Sequence, residues 1–117
     1  MKGMLPTIAA MLAILAGVAR AHTHIRMSSP ADNAVLTAPP AELVLHFSEV
    51  TRLTSLSIRK DDEKDASNLG PLPKSAAQVL DIPLGPVSPG KYTVSWRAVG
   101  DDSHVMSGTL HFSVLAR

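Results

Sequence analysis

Apolar and polar positions alternate with a period of two through most of this chain. Leu43, Leu45 and Phe47 alternate with Val44, His46 and Ser48, and Leu56 and Ile58 with Ser57 and Arg59. Further on, Leu80, Ile82 and Leu84 alternate with Val79, Asp81 and Pro83, Tyr92, Val94, Trp96 and Ala98 with Thr93, Ser95, Arg97 and Val99, and Leu110, Phe112 and Val114 close the series. A period of two puts successive side chains on opposite faces of an extended backbone, so each stretch predicts a strand with one buried face. Shorter strands are expected over residues 25–28 and near Val35, set off by Pro30, Pro39 and Pro40. Between them stand Pro30-Ala31-Asp32-Asn33, Pro39-Pro40, Gly70-Pro71-Leu72-Pro73 and Pro89-Gly90, which is turn chemistry. About seven short strands, each with one apolar face, predict an all-β, antiparallel Greek-key sandwich of immunoglobulin-like or cupredoxin-like type, with Trp96 as the large central core residue. Residues 60–77 carry charges, Gly, Pro and Ser with little apolar content and read as a mobile loop.

The first 21 residues follow another pattern. Lys2 precedes an almost wholly apolar run over residues 4–18, and Ala19 and Ala21 occupy the small-residue positions read by signal peptidase. The run is shorter than the roughly 20 residues needed to span a bilayer, so it reads as a secretory signal peptide and not as a retained anchor. Residues 1–21 are thus expected to be removed, leaving residues 22–117 as one domain that begins at His22 and has no membrane insertion. Processing removes Lys2 and Arg20, taking Lys+Arg from 11 to 9 against 10 Asp+Glu. The mature chain is therefore slightly acidic, and its charge gives no reason to expect nucleic acid as a partner. With no cysteine, disulfides, thiolate metal sites and thiol catalysis are excluded.

An N-terminal histidine changes the available chemistry. Its free amine and its Nδ1 close a chelate ring on a metal, and a second imidazole with a carboxylate completes a tetragonal N,N,N,O set suited to Cu(II). His22, His104 and Asp102 are the candidates for that set. Asp102 and His104 lie two apart, so in extended backbone their side chains point to one side. His24, the third mature residue, is a possible additional ligand, because a terminal amine, two backbone amides and a third-position imidazole can wrap Cu(II) or Ni(II). The folded-state site is favoured over that wrap because its groups are held in place beforehand. His46 and His111 fall at outward positions of strands and read as solvent-facing or cross-strand histidines, and Asp101 as a solvated neighbour. Nitrogen donors bind deprotonated, so copper affinity is expected to fall as pH drops through the imidazole range near ~6.5.

The N-terminal His22, Ser29-Pro30-Ala31-Asp32, Pro40-Ala41-Glu42, Leu45-His46-Phe47-Ser48-Glu49, and Gly90-Lys91-Tyr92-Thr93-Val94-Ser95-Trp96-Arg97 followed by Asp102-Ser103-His104, Gly108 and Phe112-Ser113-Val114 resemble the CopC family of periplasmic copper-binding proteins. The resemblance covers nearly the whole mature chain. It implies His22, Asp102 and His104 as the copper ligands and places Glu49 behind them, where a carboxylate orients an imidazole and tunes its basicity. Some members of that family carry a methionine-rich loop that binds Cu(I). Here residues 60–77 hold neither Met nor His, and the mature methionines are only Met27 and Met106. The resemblance therefore implies a Cu(II)-only member: a monomeric periplasmic protein, not an enzyme, that sequesters copper or delivers it to an inner-membrane transporter or a copper enzyme. Two other classes compete. A histidine-brace copper oxidase or monooxygenase would need aromatic residues to hold an extended substrate, and the chain has one Trp, one Tyr and two Phe, with Trp96 and Phe112 assigned to the core. A metal-free immunoglobulin-like interaction module would bind no copper stoichiometrically.

Overall fold

The computed structural model describes residues 25–116. They form β1 (Ile25–Ser29), β2 (Ala34–Leu36), β3 (Glu42–Lys60), β4 (Ser67–Asn68), β5 (Ala77–Pro83), β6 (Gly90–Gly100) and β7 (Val105–Val114), with no helix among them. The strands expected around Leu45 and Leu56 are one 19-residue strand, β3. The two share a strand because β3 changes neighbours partway along. Its first part pairs antiparallel with β1 and β5, from Glu42↔Pro83 to His46↔Val79, and its second part pairs antiparallel with β6, from Thr51↔Gly100 to Lys60↔Tyr92. Between His46↔Val79 and Thr51↔Ala77, residues 47–50 of β3 lie against the single residue Gln78 of β5. Such an excess bends a strand, and here it carries β3 from one layer of the sandwich to the other. Gln78 Nε2 donates to the Ser48 carbonyl at 3.3 Å, and the buried Thr51 hydroxyl donates to the Glu49 carbonyl at 2.7 Å, so the bend is tied by hydrogen bonds.

One layer is β1-β3-β5. The other is built on the far half of β3 with β6, β7 and β2. β2 pairs parallel with β7, unlike the other ladders and unlike the all-antiparallel expectation. It reaches β7 from β1 without a hairpin, so no tight turn imposes an antiparallel direction.

The alternation places the core as expected. Leu43, Leu45 and Phe47 of the first half of β3 meet Val94, Trp96 and Ala98 of β6 and Leu110 and Phe112 of β7 in one buried cluster. Phe47 and Trp96 pack edge to face at 5.5 Å, and Tyr92 stacks on Phe112 at 5.3 Å, geometries that add to simple area burial. Gly108 lies opposite Trp96, and a Cβ there would come within 2.9 Å of the indole. The segment 60–77 is less loose than its composition suggests. β4 pairs with Ser57 and Ile58, Leu69 N–H donates to the Leu56 carbonyl at 2.8 Å, and Leu69 and Leu72 pack half-buried on the core. Two leucines in a polar stretch are enough to anchor it.

Candidate metal centre

The turn between β6 and β7 brings Asp102 and His104 together. Gly100 N–H donates to the His104 carbonyl at 2.9 Å and closes the base of the turn, while Ser103 N–H donates back to the Gly100 carbonyl at 3.0 Å. Ser103 adopts the left-handed conformation, with φ of 70°. The backbone here is a tight turn, so the two side chains converge for a reason other than the strand alternation expected from their spacing. Gly100-Asp101-Asp102-Ser103 is a run of turn formers, and that was the signal available in the sequence.

Asp102 Oδ2 lies 2.6 Å from His104 Nδ1, and Asp102 Oδ1 accepts the His104 backbone N–H at 3.2 Å. The imidazole contact first, and the backbone N–H second, hold the Asp102 carboxyl below the ordinary carboxylate range. An ionised carboxylate only accepts, so without a metal this contact puts the imidazole proton on Nδ1 and the lone pair of the neutral ring on Nε2. Each carboxylate oxygen keeps a second lone-pair direction for a cation.

Glu49 is half-buried in the bend of β3. Thr51↔Gly100 is the last rung between β3 and β6, and Glu49 and Asp102 each lie two residues beyond it. Both therefore belong to the same end of the sandwich. β1 begins there too: Ile25 is paired with Phe47, two residues from Glu49. Asp101 lies on the other flank of the turn, lining a hollow with Val50, Arg52 and Ala76.

Among the described residues, no group of three His, Asp or Glu side chains is arranged to hold a metal ion. Asp102 and His104 are the pair the structure brings together, while His22 and His24 lie outside the described residues. Of the remaining histidines, His46 is half-buried on β3 beside Met27 of β1 and Val79 of β5. His111 has a partner that its sequence position did not reveal. Asp32 Oδ1, from the turn after β1, accepts its backbone N–H at 2.8 Å and lies 3.3 Å from its Nδ1. Asp32 is held below the ordinary carboxylate range, chiefly by that backbone bond. The partners are 79 residues apart, and no local pattern links them.

Residues 25–115 match the CopC domain family model. The chain is 33% identical over 107 residues to Copper resistance protein C of Escherichia coli, covering 82% of this chain and 83% of that one. It is 36% identical over 99 residues to Protein YobA of Escherichia coli K12, covering 80% and 79%. In structure it is similar to CopC from Methylosinus trichosporium OB3b, with a TM-score of 0.65 at 21% identity over 80% of this chain and 94% of that one, a likeness of fold. It is also similar to PcoC, a methionine-rich copper resistance protein from Escherichia coli, with a TM-score of 0.57 at 27% identity over 80% of this chain and 99% of that one.

Proposed function

Because this chain belongs to the CopC family, a family of copper-binding resistance proteins and not of enzymes, we propose that it is a periplasmic Cu(II) carrier whose ion is held between its processed N-terminus and the β6–β7 turn. In this reading residues 1–21 are a signal peptide. His22 supplies its amine and Nδ1, His104 an imidazole nitrogen and Asp102 a carboxylate oxygen, with the Asp102–His104 hydrogen bond giving way to the ion, and Glu49 stands behind them. The protein sequesters copper or hands it to an inner-membrane transporter or a copper enzyme.

The observation that carries the reading is the position of Ile25, at the end of the sandwich that also holds Glu49 and the Asp102–His104 turn. His22 is three residues ahead of Ile25, which gives its amine a reach of about 10 Å from that end if the chain is extended. Three nitrogens and an oxygen suit Cu(II), and the Irving–Williams order places it ahead of Zn(II) at such a set. A wrap through His24 would have to draw on the residue next to Ile25, whose backbone is already paired with β3. With Met27 exposed on β1 and Met106 half-buried against the core, the two methionines of the mature chain lie on different layers, which supports a carrier without a sulfur-rich Cu(I) site.

The test is a competitive Cu(II) titration of the chain beginning at His22 against a chelator of known affinity. Tight one-to-one binding is expected. Absence of stoichiometric binding would leave a metal-free module, and sustained oxidation of a reductant by oxygen above the rate of free copper would make the protein an enzyme.

A further inference from the structure

The outer face of the β3-β6-β7 sheet carries a pattern that copper binding does not use. Its outward rungs are Arg52–Val99–Val105, Ser55–Arg97–Ser107, Ser57–Ser95–Thr109 and Arg59–Thr93–His111. Hydroxyls and cations fill most of these positions, and none is acidic. Two of the acids that border the face are engaged: Thr93 Oγ1 donates to Asp61 Oδ1 at 2.9 Å, and Asp32 takes the His111 N–H, while Asp101 stands at the Arg52–Val99 end. Three arginines lie on this face in different states. Arg52 Nη1 donates to the Lys74 carbonyl, and Arg59 Nη1 to the carbonyls of Asp61 and Glu63. Arg97 is exposed, and its guanidinium has no partner among the described residues. It stands in an open hollow of about 300 Å³, edged by Ser55, Ser95, Ser107 and Thr109.

We propose that this hollow is a carboxylate-binding site centred on Arg97, and that its occupant is an acidic, extended segment of a partner protein. The guanidinium fork matches a carboxylate in two parallel hydrogen bonds, and the flanking hydroxyls donate to the lone pairs that remain. The rungs repeat about every 6.6–6.8 Å along a strand, which is also the repeat of like-facing side chains in an extended peptide. A bilayer is the poorer fit, since the hollow is walled by hydroxyls and Val105 is the one strongly exposed apolar side chain on the four rungs. Arg97 is three residues before Gly100 at the base of the turn, so a partner seated here would lie beside the Asp102–His104 end. That role in copper transfer rests on the proposed function, whereas binding of the acidic segment does not require copper.

The experiment titrates the chain beginning at His22 with hexaglutamate at low and high salt, following backbone amide shifts. Saturable shifts confined to Ser55, Ser95, Arg97, Ser107 and Thr109 and their rung neighbours are expected, weakening as salt rises. Arg97→Gln should weaken binding roughly tenfold or more, because a charge-assisted fork is lost. Arg97→Lys should fall between, keeping the charge but not the fork. Lys91→Gln removes the same charge on β6 outside the hollow and should change binding little. An Arg97→Gln affinity within about twofold of the parent would overturn the proposal, since a fork contributes more than that. So would an equal loss in Lys91→Gln, absence of hexaglutamate binding at low salt, or binding to phosphatidylserine vesicles in its place. Arg97→Gln should retain the parent's Cu(II) titration, which verifies its fold. Failure of the parent to bind copper would count against the carrier and leave this site standing.

Discussion

The molecule contains two carboxylate–imidazole pairs of nearly identical chemistry, and their surroundings give them different work. In each, an aspartate contacts both the Nδ1 and the backbone N–H of one histidine, and the side chains are about half exposed, 59% and 50% for His104 and Asp102 and 47% and 49% for His111 and Asp32. In each, the aspartate is held below the ordinary carboxylate range, chiefly by the imidazole at Asp102 and chiefly by the backbone N–H at Asp32. Exposure and hydrogen bonding therefore do not separate them. Connectivity does. Asp102 and His104 sit within one turn, so their contact fixes the ring without joining distant parts of the fold. Asp32 and His111 join the turn after β1 to β7, with Asn33 N–H also donating to the His111 carbonyl at 2.6 Å. The first pair orients an imidazole at the end where the chain enters the sandwich, and the second fastens that chain to the sheet.

The contrast is open to direct attack. His104→Ala should reduce Cu(II) affinity by at least on the order of 100-fold, more than the loss of an orienting partner costs, while His111→Ala leaves the same chelator titration unchanged. Equal losses would erase the distinction. Asp102→Asn keeps the shape and removes the ionised acceptor, and roughly a 10–100-fold loss of copper affinity is expected with little change in thermal midpoint. On the strand between the two histidines, Gly108→Ala places a Cβ 2.9 Å from the Trp96 indole. It should cost roughly 1–3 kcal/mol in denaturant unfolding, which separates damage to the fold from damage to the site. Asp32→Ala should cost no more than about 1 kcal/mol after solvent screening, without altering copper affinity. The sign with pH follows from the lowered Asp32 carboxyl: its stabilisation is complete above the ordinary carboxylate range and is lost as pH falls through the lower folded-state value. The acid limb of the parent's stability profile should therefore be steeper than that of Asp32→Asn.

Much of this was legible in the sequence because alternation reports burial directly. Leu43, Leu45 and Phe47, and Tyr92, Val94, Trp96 and Ala98, are inward as their spacing requires. The union of two expected strands into β3 was hidden, because residues 47–50 form an irregular bend whose purpose, the change of layer, depends on partners elsewhere in the chain. The grip of Leu69 and Leu72 was masked by the polar residues around them. At the site, Asp102 and His104 could be selected from donor chemistry and spacing, but strand alternation was the wrong reason for their convergence. His111 could not be matched to Asp32 because the fold alone makes them neighbours.

The central claim is that copper binding joins the processed N-terminus to the Asp102–His104 turn. Its most direct test compares competitive Cu(II) titrations of the chain beginning at His22 and of the same chain with one additional residue before it. Tight one-to-one binding that is lost on extension is the expected result, since the added residue converts the amine of His22 to an amide. Unchanged affinity on extension would contradict the account and place the ion on side chains alone.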